Sequence, residues 1–265
     1  MARSALLNVM VQAATKAGRS LSRDFGEVQN LQVSVKGPGD YVSQADRKAE
    51  EIIFTELSRA RPGYSFLMEE RGAVHGDDDQ HRWIVDPLDG TTNFLHGIPL
   101  FSISIALERQ GQLVAGVVYN PAMDELYTAE RGGGAFMNDR RLRVAARRNL
   151  TDAVIGTGIP HLGRGHHGRA LIDLRNVMGE VSGIRRLGSA ALDLAYVAAG
   201  RFDGFWEDWL APWDMAAGIL LVREAGGFAS DREGGQQMFD NGSIVAGNEL
   251  IHKAVLATLK KPLKN

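Results

Sequence analysis

Two aspartates, Asp86 and Asp89, stand three residues apart directly after the apolar segment 83–85. Pro87 lies between them and is expected to start a tight turn, which Gly90 would end because glycine tolerates the backbone conformation required there. Carboxylate oxygens beside backbone N–H groups suit a divalent cation that holds a phosphate. An ordinary surface turn is the alternative, since Asp-Pro and Asp-Gly are common turn dipeptides.

Further acidic residues could complete such a site. Glu69 and Glu70 follow the apolar segment 65–68. Because adjacent residues of an extended chain face opposite sides, only one of them is expected to join the aspartates, and Glu70 is interpreted as a solvated acid. Asp214 lies in the first turn of a helix predicted to begin at Pro212, where the helix dipole favours an anion. Its alternative role is that of a capping carboxylate on an exposed turn.

The composition excludes several classes of protein. The chain has 265 residues, 44% of them hydrophobic, which is enough for one large domain or two fused lobes. Lys and Arg number 30 against 32 Asp and Glu, so nucleic-acid binding is not indicated. Cysteine is absent, which excludes disulfides, thiolate nucleophiles and zinc–thiolate sites. No export signal or bilayer-spanning segment is recognised, and we expect a cytoplasmic protein without membrane contact.

Periodicity in the first half of the chain predicts two helices and a meander of strands. The helices are expected from Ser4 to about Phe25 and from Ser43 toward Arg59. Strands are predicted near residues 65–68, 83–85, 102–108, 113–119 and 125–129. Short turns between consecutive strands indicate antiparallel pairing and disfavour a doubly wound nucleotide-binding fold.

The second half of the chain mixes strands and helices. Strands are expected near residues 154–158, 227–230 and 243–246, and helices near 168–178, 190–199 and 212–224, with a further helix at the C-terminus. We therefore predict an α+β protein that forms a single compact unit. Its N-terminal lobe would span about residues 1–145 and its C-terminal lobe about residues 146–265.

Three spaced motifs resemble the signatures of the inositol monophosphatase family. They are residues 68–70 (Met-Glu-Glu), 83–94 (Trp-Ile-Val-Asp-Pro-Leu-Asp-Gly-Thr-Thr-Asn-Phe) and 212–218 (Pro-Trp-Asp-Met-Ala-Ala-Gly). Residues 185–193 are most similar to the bacterial members, and the likeness covers essentially the whole chain. The resemblance implies a layered α/β/α/β/α sandwich with a largely antiparallel N-terminal sheet and a second, mixed sheet.

The same resemblance implies a magnesium site. Glu69, Asp86 and the Leu88 carbonyl would bind one Mg²⁺, while Asp86, Asp89 and Asp214 would bind a second, so that Asp86 bridges the two ions. A third, weaker ion would lie near Glu69. The chemistry agrees, because four carboxylates without cations would repel one another and take up protons.

The resemblance also implies a catalytic group. Its members would be Glu69, Thr91 and Asp46, in which Thr91 hydrogen-bonds the attacking water and pairs with Asp46. Asp46 has a second interpretation, because Ser43 and Asp46 have the spacing of a helix capping box. The backbone N–H groups of Gly90 and Thr91 would hold the phosphate oxygens.

Contacts to the substrate are implied at a wider set of positions. The helix after Ser189 would direct its N-terminus at the substrate, and Glu207 and Arg185 would contact the alcohol portion. The full set is Asp89, Gly90, Thr91, Arg185, Gly188, Ser189, Ala190, Glu207 and Asp214. Residues 208–211 depart from the family pattern after Glu207, which leaves the preferred sugar or polyol open.

Other conspicuous segments are interpreted as structural. Residues 75–81 are expected to form a solvated loop, because Arg82 and Leu88 occupy the positions where an EF-hand requires Gly and Glu. Residues 132–134 are expected to form a turn, and residues 165–168 an exposed loop. The aromatic residues Phe202, Phe205, Trp206 and Trp209 are expected to pack near the lobe boundary or a subunit contact.

The sequence thus predicts a magnesium-dependent phosphomonoesterase that hydrolyses inositol 1-phosphate by attack of an activated water, without a phosphoenzyme. The alternatives are a sugar bisphosphatase, an adenosine 3′,5′-bisphosphate nucleotidase, and a regulatory partner of the transcription machinery that associates with RNA polymerase. The resemblance further implies inhibition by lithium and a homodimer.

Overall fold

The computed structural model describes residues 3–27, 33–37, 40–163 and 165–262, and only the backbone at 33–37 and 40–42. The helices are α1 (Ala5–Phe25), α2 (Gln44–Ala60), α3 (Thr91–Leu95), α4 (His167–Met178), α5 (Ala190–Ala198), α6 (Pro212–Glu224), α7 (Met238–Asn241) and α8 (Glu249–Leu259). Among the helices so described, none combines the length and the apolar composition needed to cross a membrane.

The strands form two large sheets and a hairpin. The hairpin pairs β1 (Val33–Gly37) with β2 (Asp40–Ser43). The first sheet contains β3 (Tyr64–Met68), β4 (Gly72–Val74), β5 (Asp78–Asp89), β6 (Ser102–Arg109), β7 (Gln112–Asn120), β8 (Glu125–Glu130), β9 (Gly134–Met137) and β10 (Arg140–Arg141). The second contains β11 (Val154–Thr157), β12 (Gly183–Arg185), β13 (Gly204–Glu207), β14 (Phe228–Ser230) and β15 (Ile244–Gly247).

The two large sheets differ in the direction in which their strands pair. In the first sheet the order is β10-β9-β8-β7-β6-β5-β3-β4, and all pairs are antiparallel except β3 with β5. This confirms the predicted meander. In the second sheet, of order β12-β11-β13-β15-β14, β11 pairs in parallel with β12 and β13, whereas β15 pairs antiparallel with β13 and β14.

Side chains alternate between the two faces of each sheet, so helices pack on both faces and the fold has five layers. On β5, Trp83 and Val85 face one side and pack with α1 and α2, whereas Ile84 faces the other side and packs with α5 and α6. Residues of β13 and β15 cover the opposite side of α5 and α6, and α4 and α8 cover the outer face of the second sheet. The predicted α+β layered sandwich is therefore confirmed. The division into lobes near residue 145 stays a prediction.

Two segments that were predicted to be loops are partly regular. Residues 78–81 begin β5, where the His81 ring stacks on Tyr64 with centroids 4.3 Å apart and the Asp78 carboxylate accepts the His81 N–H. Helix α4 begins at His167, and the His166 ring nitrogen caps it by accepting the Arg169 N–H at 3.0 Å. Local side-chain capping thus orders both segments, and the loop prediction is wrong there. Residues 132–133 do lie at the turn between β8 and β9, and Gly134 begins β9.

The four aromatic residues do not share one environment. Phe202 and Phe205 are buried in the layer between the two sheets. Trp206, the next residue on β13, faces the opposite side and packs under α8. Trp209 is 45% exposed. Strand alternation turns Trp206 away from Phe205, so the four residues do not pack together. Their placement near a lobe boundary or a subunit contact stays a prediction.

Close contact between α5 and α6 depends on a glycine, which generates a first prediction. A Cβ at Gly218 would lie 2.5 Å from the Leu194 Cβ, so Gly218→Ala is expected to lower the free energy of unfolding by about 1–3 kcal/mol through overpacking. Gly179, at the end of α4, is the control, because a Cβ there would meet only the Arg175 carbonyl at 3.7 Å. Urea unfolding should show a change within about 0.5 kcal/mol for Gly179→Ala. Equal effects of both substitutions would contradict this packing argument.

Candidate active site

Asp86 and Asp89 both belong to β5 and not to a turn after it. Asp86 pairs with Ser104 and Asp89 pairs with Ser102, so three steps along β5 match two steps along β6. Residues three apart on a regular strand face opposite sides, whereas this bulge turns both aspartates to the same side. Pro87 suits the bulge because it has no N–H to leave unpaired. The predicted tight turn is therefore wrong, but the two carboxylates do converge.

The aspartates line a pocket of about 130 Å³, which we call the catalytic pocket. Most residues predicted for the site line it, namely Glu69, Asp86, Leu88, Asp89, Gly90, Thr91, Gly188, Ser189, Ala190, Glu207 and Asp214. Glu70 does not line it, in agreement with its interpretation as an acid outside the site. The ends of β3 and β5 and the starts of α5 and α6 thus bring distant parts of the chain to one place.

Backbone donors hold two of the aspartates in position. Oδ1 of Asp86 accepts the Leu88 N–H at 2.9 Å, across the bulge. Oδ2 of Asp214 accepts the Ala211 N–H at 2.7 Å, at the start of α6. Asp214 therefore has both roles considered for it, since it caps the helix and lines the catalytic pocket.

The carboxylate of Asp89, the last residue of β5, lies against the N-terminus of α5. Its Oδ2 accepts hydrogen bonds from the Ser189 hydroxyl at 2.5 Å and from the Ala191 N–H at 2.8 Å. The first N–H groups of this helix are directed at Asp89, which itself lines the catalytic pocket, and the expectation that the helix N-terminus faces the substrate stays a prediction. The helix dipole consequently stabilises the Asp89 carboxylate.

Burial makes negative charge unfavourable throughout the catalytic pocket. Burial raises the pKa of Asp86 well above its ordinary range, and the charges of Glu69, Asp89 and Asp214 raise it further. Burial likewise raises the pKa of Asp89 to about 6 and that of Glu207 to about 8. Carboxylates that disfavour one another's charge in this way form a site that a cation would stabilise.

The donor atoms fit a hard divalent cation. Side-chain carboxylates and the Leu88 carbonyl supply only oxygen, which suits Mg²⁺ better than zinc or copper. Among the side chains described, those of residues 3–27, 43–163 and 165–262, no three acidic or histidine groups already form a metal cluster. The carboxylates therefore surround the pocket without meeting at one point.

Thr91 and Asp46 form the predicted pair. The Thr91 hydroxyl lies 3.2 Å from Oδ1 of Asp46 and 3.1 Å from the Leu88 carbonyl, and its single proton serves one acceptor at a time. Asp46 also completes a capping box with Ser43 at the start of α2, so both structural interpretations of this residue hold. Burial raises the pKa of Asp46 to about 7.

Arg186, and not Arg185, lines the catalytic pocket. The Arg185 side chain is exposed and turns back along β12, where it donates to the Ile184 carbonyl at 2.9 Å. Consecutive residues at a strand end face different directions, which explains the difference of one position. The positive charge of Arg186 opposes the rise in the pKa of Glu207. The prediction of Arg185 as a substrate contact is corrected accordingly.

Sequence reasoning missed the residue that joins the two halves of the pocket. The Asn93 side-chain amide donates to the Leu100 carbonyl at 2.6 Å and to the Leu187 carbonyl at 2.7 Å. Gly90 allows the same close approach, since its φ is 93° and a Cβ would lie 3.2 Å from the Gly188 carbonyl. The signal that the sequence offered for this role was the presence of an asparagine in the motif at residues 83–94.

Comparison with known proteins agrees with this geometry. A model of the inositol monophosphatase family matches residues 2–263. The chain is 82% identical over 263 residues to a protein of Mesorhizobium japonicum named inositol-1-monophosphatase, with 99% of each chain covered. It is 43% identical over 260 residues to the Nus factor SuhB of Escherichia coli, with 98% and 97% of the two chains covered.

A solved structure shows the same fold. The crystal structure of the extragenic suppressor protein suhB from Bartonella henselae has a TM-score of 0.96 and 71% sequence identity, and the match covers 98% of this chain and 100% of that one. The chain belongs to the inositol monophosphatase family, whose members are metal-dependent phosphatases.

The bridging role of Asn93 generates a second prediction. Asn93→Ala leaves two partly buried carbonyl groups without their donor, so the free energy of unfolding should fall by about 2 kcal/mol. Asn176 is the control, because its side-chain amide donates to the Lys261 carbonyl at an exposed position. Asn176→Ala should change stability by less than about 0.5 kcal/mol in the same urea titration. A loss at Asn93 no larger than that at Asn176 would refute the bridging role.

Proposed function

We propose that this protein hydrolyses inositol 1-phosphate to inositol and phosphate in a magnesium-dependent reaction. The observation that carries the proposal is the convergence of Glu69, Asp86, Asp89 and Asp214 on one pocket beside the Thr91–Asp46 pair. The name of the relative that is 82% identical supports the choice of substrate.

The metal ligands are proposed to be divided between two ions. Glu69, Asp86 and the Leu88 carbonyl would hold one Mg²⁺, Asp86, Asp89 and Asp214 would hold the second, and a third, weaker ion would lie near Glu69. When bound, these ions supply the positive charge that activates water and stabilises the departing alkoxide.

The hydroxyl of Thr91 is proposed to orient the attacking water. With the Leu88 carbonyl as a metal ligand, the Thr91 hydroxyl would donate its proton to Asp46, whose Oδ1 lies 3.2 Å away. The oxygen lone pairs of Thr91 then face the pocket and can accept a hydrogen bond from water. Water held in this way attacks phosphorus directly, so no phosphoenzyme is required.

Substrate contacts are proposed on both sides of the pocket. The backbone N–H groups of Gly90 and Thr91 would bind phosphate oxygens, and Arg186 would add positive charge. Glu207 would contact the inositol hydroxyl groups together with the backbone of residues 188–190. A carboxyl oxygen of Glu207 can accept a hydrogen bond from an inositol hydroxyl group.

We propose further properties of this protein because it belongs to the inositol monophosphatase family. A sugar bisphosphatase and an adenosine 3′,5′-bisphosphate nucleotidase are the enzymatic alternatives. Inhibition by lithium, a homodimer and a cytoplasmic location are proposed as well. Phosphate release with added lithium tests the first of these three properties, light scattering tests the second, and cell fractionation tests the third.

A regulatory role is the second candidate function. The name Nus factor, borne by a relative that is 43% identical over nearly the whole chain, supports association with the transcription machinery. Co-purification with RNA polymerase by a protein that is inert on every phosphomonoester would favour this role over catalysis.

The catalytic proposal predicts a specific pattern of phosphate release. Inositol 1-phosphate should be hydrolysed with higher kcat/KM than fructose 1,6-bisphosphate or adenosine 3′,5′-bisphosphate, and only with Mg²⁺ present. Asp89→Asn should reduce kcat/KM by about a hundredfold or more, because a metal ligand is lost. Asp77→Asn, in an exposed position outside the pocket, is the control and should stay within about twofold of wild type. Hydrolysis that is independent of Mg²⁺ would refute the proposal.

The role of Thr91 gives a separate prediction. Thr91→Val preserves the shape of the side chain but removes the hydroxyl, so kcat should fall about a hundredfold, whereas Thr91→Ser should recover most of the activity. Thr92→Val is the matched control, since Thr92 lines the same pocket without a role in orienting water. Steady-state assays at saturating substrate distinguish the variants. Equal activity of Thr91→Val and Thr92→Val would exclude the proposed role.

A further inference from the structure

Glu50 is a buried acid that lies outside the catalytic pocket. It belongs to α2, is 3% exposed and does not line the pocket. A buried carboxylate requires hydrogen-bond donors, because the loss of its hydration is otherwise costly. The donors that Glu50 has are backbone N–H groups of the loop between β3 and β4, next to the proposed metal ligand Glu69.

Hydrogen bonds hold the backbone of every residue in this loop. The loop begins with Glu69, whose N–H donates to the Val85 carbonyl of β5 at 3.2 Å. The N–H groups of the next two residues, Glu70 and Arg71, both donate to Oε2 of Glu50, at 2.9 and 3.2 Å. Glu50 therefore fixes two of the three residues that separate β3 from β4.

The position of the loop in the sheet explains why it needs this support. β4, which follows the loop, is a three-residue strand at the edge of the first sheet. Its pairing with β3 covers three residue pairs, and segments held by few hydrogen bonds open readily. The bonds to Glu50 therefore fix a loop that the sheet alone holds weakly.

The negative charge of Glu50 is balanced within the same loop. Nε of Arg71 lies 3.6 Å from Oε1 of Glu50, and the Arg71 guanidinium covers the Phe54 ring at 4.3 Å. The guanidinium also pairs with Glu51, the next residue on α2. Both oxygens of Glu50 thus serve the loop and its arginine, which leaves the carboxylate as a support of the site and not as a ligand in it.

Helix α2 supports the site at a second point. Asp46 lies one turn before Glu50 on the same buried face of α2, and its Oδ1 lies 3.2 Å from the Thr91 hydroxyl. A single helix therefore positions both the group proposed to orient water and the loop that carries Glu69.

We propose that Glu50 is a positioning residue, which fixes the loop that carries Glu69 and thereby raises the affinity of the protein for the ion that Glu69 binds. This inference rests on the metal site of the proposed function. A ligand whose backbone is fixed in advance loses less conformational freedom when the ion binds. Hydrogen-bonded groups that support metal ligands contribute about ten- to hundredfold to metal affinity.

Titration with Mg²⁺ tests this role without requiring turnover. Glu50→Leu removes the acceptor, so calorimetry of the whole protein should show about tenfold weaker binding at one of two Mg²⁺ sites. Glu69→Gln should weaken that same site, and Glu50→Leu should cause no further loss in that background because the two residues act as a unit. Glu50→Gln removes the charge but keeps an oxygen that accepts N–H groups, and its affinity should stay within about threefold of wild type.

Glu51→Leu is the matched control. Glu51 is the neighbouring glutamate of α2, is exposed, and pairs with the Arg71 side chain and not with the loop backbone. Its replacement should change Mg²⁺ affinity by no more than about twofold. In assays of phosphate release, Glu50→Leu should require about tenfold more Mg²⁺ for half-maximal rate, while kcat at saturating Mg²⁺ stays within about threefold of wild type.

Amide hydrogen exchange of the metal-free wild-type protein provides a measurement that needs no variant. The N–H groups of Glu70 and Arg71 should be protected from exchange, because both are hydrogen-bonded to a buried side chain. This measurement decides the matter even where Glu50→Leu fails to fold.

Three results overturn the inference: unchanged Mg²⁺ affinity in Glu50→Leu, equal losses in Glu50→Leu and Glu50→Gln, or unprotected N–H groups at Glu70 and Arg71. Equal losses would assign the effect to the charge of Glu50 and not to its hydrogen bonds. The expected Mg²⁺ binding in a protein that is inert on inositol 1-phosphate would support the role of Glu50 and contradict the proposed substrate. Wild-type protein that binds no Mg²⁺ would contradict both proposals, so their failures are distinguishable.

Discussion

Repulsion among buried carboxylates is the constraint on which the rest of the structure depends. Glu69, Asp86, Asp89 and Asp214 line one pocket of about 130 Å³, and burial together with mutual repulsion raises the pKa of Asp86 well above its ordinary range. Four carboxylates placed this close together repel one another when no cation is bound. Divalent cations between them neutralise this repulsion. Backbone N–H groups keep the carboxylates of the three aspartates in place.

Both the local geometry of β5 and the packing of the layers hold the carboxylates in position. The bulge in β5 turns two aspartates to one side, and the start of α5 supplies donors to Asp89. Asn93 then connects the end of β5 to the segment before α5, and Gly90 allows the close approach of those two segments. The pocket therefore exists only when both sheets are assembled around α5 and α6.

Most residues that line the pocket could be predicted from the sequence. The contacts that bring these residues together could not. Asp86, Asp89 and Thr91 lie within one short motif. The types and spacing of the two aspartates suggested a cation and phosphate site beside the alternative of a surface turn, and the resemblance to the family implied the role of Thr91. A one-residue bulge and the choice of Arg186 over Arg185 depend on strand register, which single-sequence periodicity does not determine. The bond between Asn93 and the Leu187 carbonyl joins residues 94 positions apart, and only the tertiary structure reveals it.

The ions themselves provide the most direct test of the central claim. Titration of the metal-free protein with Mg²⁺ in a calorimeter should reveal two saturable sites per chain, and Asp86→Asn should weaken both because this carboxylate is proposed to bridge them. Absence of saturable Mg²⁺ binding, or binding unchanged by Asp86→Asn, would contradict the account.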